Sequence, residues 1–222
     1  MLRYLYKKIN SSDVSLSNKI PNSVITKLFI SKFCSLIRGF FKFGKWCVFC
    51  GKHCVIECKR SIHFSKWLNI ANNVFINGLS EAGIFFGHNV SIGKYTCIEG
   101  TGSFSYLGKG FKCGNNCGLG THSFYGCAGG IEMGNDVIIG NYVSMHSENH
   151  NYTDRDIPIR LQGVNHKGIK IGNNCWIGAK ATVLDGAIIG NGCVVAAGAV
   201  VTGSFPDNVV IGGVPAKILK MR

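Results

Sequence analysis

Residues 171–202 read IGNNCW-IGAKAT-VLDGAI-IGNGCV-VAAGAV-VT, and this stretch decides the fold. An apolar residue returns at every sixth position without a slip: Ile171, Ile177, Val183, Ile189, Val195 and Val201. Four residues after it comes a small one, as at Ala181, Ala187 and Ala199, and Gly often follows the apolar residue directly. A period of six fits neither an α-helix nor the plain alternation of a long strand. It fits very short strands joined by corners, each pointing one large and one small side chain inward. Gly, Asn and Asp suit the corners because they tolerate left-handed backbone. Three such sides close a coil of about 18 residues, and stacked coils bury a continuous core.

The same register extends upstream. It passes through Met133, Ile139 and Met145, through Cys113, Leu119 and Tyr125, and through Phe86, Ile92 and Ile98. Fainter copies begin at Cys50, Ile56, Ile62, Ile70 and Ile76. The chain is therefore expected to form an all-β solenoid, a parallel β-helix of about seven coils over residues 49–213. Composition agrees. With 30 Gly, 46% hydrophobic residues and only 4 Pro in 222, the chain is neither disordered nor collagenous. Eleven Cys is an odd count for a disulfide framework. Cys54, Cys117, Cys175 and Cys193 fall on the small inward position, where a thiol packs as a small hydrophobe. The repeat thereby absorbs the second pair of the zinc-like run Cys47, Cys50, Cys54, Cys58, and no metal is expected.

Residues 1–48 lack the repeat. Nine basic side chains and one acid, Asp13, lie within the first 45 residues, a large share of the formal charge of +13. Residues 23–43 read as a helix with Ile25, Leu28, Phe29, Phe33, Leu36 and Phe40 on one side and Lys27, Arg38 and Lys42 opposite. Two readings stand: a cap on the first coil, or a basic amphipathic helix lying on an anionic membrane. No apolar run reaches the roughly 20 residues of a membrane span, and no signal peptide is apparent. A cytoplasmic protein is expected, with the inner membrane face as the site of any surface association. No basic stripe with interleaved aromatics follows the repeat, so nucleic acid is not an expected partner.

Interruptions of a solenoid become loops, and loops carry function. The largest is 151–170, NYTDRDIPIRLQGVNHKGIK, directly after MHSENH; smaller ones occupy 79–85 and 106–112. At the other end, Pro215 is placed to start a short capping helix over 214–222.

The ordered set MGNDVIIGNYVSMHSENHNY, PIRLQG, IKIGNNCWIGAKATVLDGAIIGNGCVVAAGAVVT and GGVPAKILK resembles the left-handed β-helix hexapeptide-repeat acyltransferases. The nearest group is the bacterial O-acetyltransferases acting on sugars and cell-surface polysaccharides, related to maltose and galactoside acetyltransferases. The resemblance covers roughly residues 49–222. It implies a homotrimer with acetyl-CoA as co-substrate, active sites between subunits, and transfer to a saccharide hydroxyl. Its general base, at the start of the extruded loop, matches His150. Such a group is what the chemistry needs, because a hydroxyl attacks a thioester well only as its proton is drawn off. His146, four residues earlier, is expected to shape the cleft. The paired His of the β-helical carbonic anhydrases are spaced one residue further apart, which argues against zinc.

Sugar acetyltransferases often place Asp one coil below the His, where Ala128 stands here. Glu148 is the expected substitute, with Glu132 a weaker one. The resemblance assigns the Ala179 main-chain N–H to the thioester, Ala197 and Thr202 to the pantetheine arm, and Lys217 and Lys220 to the nucleotide phosphates. Gly203 stands where the family commonly has Lys or Arg. Trp176, outward in its hexad, is expected to wall the acetyl pocket. Arg160 and Gln162 on the loop, with Asn149, are candidates for acceptor contacts. Two other functions stay open: N-acyl transfer to an amino sugar or a serine-type acetylation, and a trimeric scaffold with a decayed site.

Overall fold

The computed structural model describes Ser17 and residues 19–222. Short parallel strands stack into three sheets, which form the faces of a left-handed triangular prism. One coil shows the rule. Ile131–Met133 lies on the third face, Ile138–Ile139 on the first and Ser144–His146 on the second. Within it Ile131, Met133, Val137, Ile139, Val143 and Met145 are all buried, so each side contributes its small and its large inward residue. The corner residues before the inward pairs take positive φ: Gly130 at 92°, Asp136 at 59° and Tyr142 at 60°. Inward Cys residues fit because their thiols reach corner carbonyls of the next coil. Cys175 Sγ donates to Gly190 O at 3.1 Å and Cys193 Sγ to Pro206 O at 3.1 Å.

The three corners differ. Between the third and first faces, one side chain per coil accepts the N–H of the coil before. His88 N donates to Asn115 Oδ1, Asn115 N to Asn135, Asn135 N to Asn173, Asn173 N to Asn191 and Asn191 N to Asp207, all at 2.7–2.8 Å. We call this the ladder corner. Between the first and second faces such a ladder lapses at Ala179 and Ala197, which have no acceptor to offer; this is the open corner. Every large departure from the six-residue step falls at the remaining corner, between the second and third faces. There the chain inserts 78–83, 100–110 and 147–168 between successive strands. This is the interrupted corner.

Helix α1, Asn22–Phe43, lies across the first coil and ends at Gly44, whose φ of 68° turns the chain back. It approaches so closely at Gly39 that a Cβ there would stand 1.9 Å from Val48 O. The amphipathic assignment needs correction. Arg38 and Lys42, read as solvent-facing, donate to the edge carbonyls of Cys50 and Cys54 at 2.9 and 2.7 Å. Lys32 stands 3.9 Å over the Phe49 ring. Phe33 and Leu28, read as core-facing, are 56% and 40% exposed. The reason is electrostatic: the first coil presents unpaired carbonyls, and cations on the packed face satisfy them.

The other end also differs from expectation. Residues 214–222 hold no helix; Ala216–Met221 is a strand paired antiparallel with Val209–Gly213. The last coil leaves an open edge, and pairing that edge satisfies more backbone groups than one isolated helical turn would. Arg222 finishes the closure by donating to Gly192 O at 2.9 Å.

Candidate active site

The interrupted corner holds a cleft of about 260 Å³, lined among others by Glu99, Phe124, Cys127, His146, Glu148 and His150. Strand register explains why it is there. On the second face Glu99, Gly126 and His146 occupy one column, a residue per coil. With coils about 4.8 Å apart, Gly126 leaves a gap between an acid below and an imidazole above. A Cβ at Gly126 would press on the Phe124 ring at 3.0 Å.

The side chains around this gap have distinct settings. His146 Nε2 is bonded to Ser144 Oγ, and its ring packs 5.4 Å from Phe124, so it is a fixed wall. His150 is exposed at the mouth, on the short strand Asn149–His150 that pairs antiparallel with Val164–Asn165. Glu148 is half-buried between the two His. Glu99 accepts a hydrogen bond from the Cys97 thiol at 3.6 Å. Burial, with the Glu99 charge second, pushes that thiol up to about 12, so it remains a proton donor to the carboxylate.

The extruded loop is anchored by a residue that the sequence did not single out. Asp185, 8% exposed, accepts the N–H of Lys167 at 2.8 Å and of Gly168 at 2.7 Å, where the loop rejoins the solenoid. Asn149 Nδ2 reaches the same carboxylate at 3.5 Å. Ser147, fully buried, clamps the loop's exit by donating to Gly126 O at 2.7 Å and accepting from Gly129 N at 2.9 Å. Gln162 is spent inside the loop: its amide nitrogen donates to Asp154 O and Ile157 O, and its oxygen accepts from Asp154 N. Gln162 and Asn149 therefore shape the loop, and neither amide is turned to the cleft. Arg160 is exposed on a 3₁₀ turn, Ile159–Leu161, and does not line the cleft. Ala128 lines it, but offers no acid. Glu132 lies on the third face, away from it.

The residues assigned to the co-substrate gather elsewhere. Ala179 and Ala197 are exposed at the open corner, and their N–H groups make no hydrogen bond among the described residues. The cause is the lapsed ladder: the coil above offers Ala197 to Ala179 and Gly213 to Ala197, where the ladder corner offers Asn or Asp. Unpartnered, outward N–H groups are what an oxyanion needs. Trp176 is 54% exposed on the first face, and Thr202 is exposed just past the second. Lys217 and Lys220 lie exposed on the terminal strand, opposite Gly212 and Val210. Within one chain, then, His146, Glu148 and His150 come together, while Ala179 and Ala197 stand across the second face from them. Among the described residues, no three His, Cys, Asp or Glu side chains converge as a metal site requires. No described helix is long and apolar enough to cross a membrane.

Comparison with known proteins sharpens this picture. Residues 168–203 match the family model "Bacterial transferase hexapeptide (six repeats)". The chain is 30% identical over 174 residues to the putative lipopolysaccharide biosynthesis O-acetyl transferase WbbJ of Escherichia coli K12, covering 75% of each protein. It is 33% identical over 91 residues to the galactoside O-acetyltransferase of the same organism, covering 40% of this chain and 43% of the relative. Among solved structures, a point mutant of AntD, an N-acyltransferase from Bacillus cereus in complex with dTDP-4-amino-4,6-dideoxyglucose and coenzyme A, aligns with a TM-score of 0.58. That alignment is at 22% identity and covers 84% of this chain and 88% of that one, a likeness of fold.

Proposed function

Because the chain belongs to the hexapeptide-repeat acetyltransferases, we propose that it moves the acetyl group of acetyl-CoA onto a hydroxyl of a saccharide, with His150 as general base. One observation carries this reading: an exposed imidazole, His150, on a cleft also lined by two half-buried carboxylates, Glu148 and Glu99. The acceptor hydroxyl gives its proton to His150 as its oxygen attacks the thioester carbonyl. The resulting oxyanion is held by main-chain N–H donors, for which Ala179 is suited. The C–S bond then breaks, and the imidazolium returns its proton to the departing CoA sulfur. Glu148, which lines the same cleft, is the acid available to orient the imidazole, and Glu99 offers acceptor oxygens to sugar hydroxyls there.

The split between the corners bears on assembly. A homotrimer that sets the interrupted corner of one subunit against the open corner of the next would bring His150 to Ala179, as no single chain does. Trp176, Ala197 and Thr202 would then line the pantetheine arm, and Lys217 and Lys220 the nucleotide phosphates. The relative named for lipopolysaccharide biosynthesis supports a cell-surface polysaccharide or its precursor as acceptor.

The test is release of free CoA thiol from acetyl-CoA with a panel of hexoses, amino sugars and serine. Release with a hydroxyl acceptor, abolished in His150→Ala, is the expected result. Release only with amino sugars or serine moves the reaction to the corresponding class, and none with any acceptor makes the protein a scaffold.

A further inference from the structure

On the third face, just round the edge from the cleft, lies a second and larger hollow of about 510 Å³. Its floor comes from the glycine column of the interrupted corner. Gly83, Gly110, Gly130 and Gly168 all have φ between 86° and 106°, and each stacks on the next. Lysine precedes two of these glycines, at Lys109 and Lys167. In the coil between them the same place is Gly129, so the wall drops to bare backbone. A Cβ at Gly129 would stand 1.9 Å from Ser147 O. Three residues further on, Lys112 and Lys170 flank Glu132 in the outward column of the face.

Four lysines thus rim one trench, against two acids, Glu81 and Glu132. All are exposed, and none of the four ammonium groups has a hydrogen-bond or ion-pair partner among the described residues. Packing does not explain them, since the outward places next in the column carry Phe85 and Ile188. Like charges gathered over one hollow repel each other and lower stability unless an anion joins them. The trench and the cleft are neighbours along the chain: Ala128 lines the cleft and the next residue, Gly129, lines the trench.

We propose that this trench binds the diphosphate of a glycosyl diphosphate acceptor, whose sugar enters the adjoining cleft. This rests on the reading of the cleft as a saccharide site. A diphosphate diester carries one charge per phosphoryl group, which matches the trench's two-charge surplus of lysine over glutamate. One phosphoryl group meets Lys109 with Lys167 over bare Gly129, and the other meets Lys112 with Lys170, whose two charges exceed that of Glu132 between them. The volume suits a ligand of that size, and Glu132 and Glu81 accept from hydroxyls beside it. CoA also contains a diphosphate; within one chain Ala179, Ala197, Lys217 and Lys220 lie at the open corner and first face, away from the trench, and for the open corner of a neighbouring subunit the parallel CoA titration below separates the two ligands. The shared chemistry admits two sources, a nucleoside diphosphate sugar and a polyprenyl diphosphate sugar.

The experiment uses the full chain and inorganic pyrophosphate as probe, with binding followed calorimetrically alongside binding of CoA. Lys109→Glu with Lys167→Glu should weaken pyrophosphate about tenfold or more, the scale of a lost charge-assisted hydrogen bond, and leave CoA affinity within about twofold. Lys66→Glu with Lys94→Glu, which changes net charge equally elsewhere, should weaken pyrophosphate much less. Equal loss in both double variants, no loss in the first, or a parallel fall in CoA affinity would overturn the proposal. Displacement of pyrophosphate by UDP-glucose identifies a nucleotide-linked acceptor. Displacement only by vesicles carrying a polyprenyl diphosphate identifies a lipid-linked one, and displacement by neither overturns it. Because the readout is binding, it separates from the thiol-release assay, whose failure would remove the acetyl transfer itself.

Discussion

The ladder corner and the interrupted corner are made by the same repeat and end differently. At the first, five successive coils place an Asn or Asp, from Asn115 to Asp207, where it accepts the N–H of its neighbour. At the second, insertions push the chain outward, glycines strip away side chains, and His146, Glu148 and His150 gather over the gap. A repeat that satisfies its own backbone has nothing left to bind with. Function enters where the repeat lapses. The open corner makes the same point quietly, since Ala and Gly in place of Asn leave the N–H groups of Ala179 and Ala197 without a partner among the described residues.

This contrast can be broken, and the ends of the prism give the largest expected effect. Removing residues 1–45 uncovers the first coil and frees the carbonyls of Cys50 and Cys54 from Arg38 and Lys42. The truncated protein should aggregate, because bare core and open strand edges template association. Light scattering checks this; a soluble, stable product that no longer binds anionic vesicles would instead make the helix a membrane element.

The corners themselves should separate activity from stability. His150→Ala is expected to lower turnover by about 10²–10⁴-fold, the usual worth of a general base, without moving the denaturation midpoint. Asn173→Ala should do the reverse. Asn173 accepts from Asn135 N at 2.8 Å and donates to Asn191 Oδ1 at 3.0 Å. Its loss should cost about 1 kcal/mol of stability, the typical net value of such a bond, and leave turnover intact. An activity loss in Asn173→Ala matching that of His150→Ala would erase the distinction.

The smallest effect lies in the core between the corners. Tyr125 is fully buried, and its hydroxyl has no hydrogen bond of good geometry among the described residues. Burial pushes its pKa up against a smaller opposing influence of the Ser123 hydroxyl, so the group is a neutral hydroxyl with little compensation for its desolvation. Tyr125→Phe should therefore raise stability by about 1 kcal/mol, the low end of an unmet desolvation penalty. A fall on chemical denaturation would mean that the hydroxyl is bonded in solution.

How much of this the chain's letters revealed follows from how local each feature is. The solenoid, its inward Cys and its extruded loop are written in a six-residue period, and a period needs no knowledge of neighbours. His150 was legible through the family resemblance of the residues that open the extruded loop, and Glu148 as the acid nearest to it in sequence. Glu99 and Asp185 were not. Glu99 joins the cleft only because Gly126 leaves a gap between coils, and Asp185 anchors a loop that rejoins the coil well before it in sequence. Both depend on stacking across coils whose lengths vary. The terminal strand and the inward turn of Arg38 and Lys42 were missed for a related reason: open edges at the prism's ends act on the chain only once the prism exists.

The central claim is that the interrupted corner of one copy and the open corner of another form one active site. Subunit mixing tests it most directly. His150→Ala removes the base, and Ala179→Trp blocks the exposed approach to the Ala179 N–H. Each variant alone should be inactive. Unfolding and refolding the two together should restore a measurable fraction of thiol release, because some mixed assemblies then carry one intact pair of corners. Mixed assemblies confirmed by mass that remain inactive would contradict the account and place both halves of the reaction within a single chain.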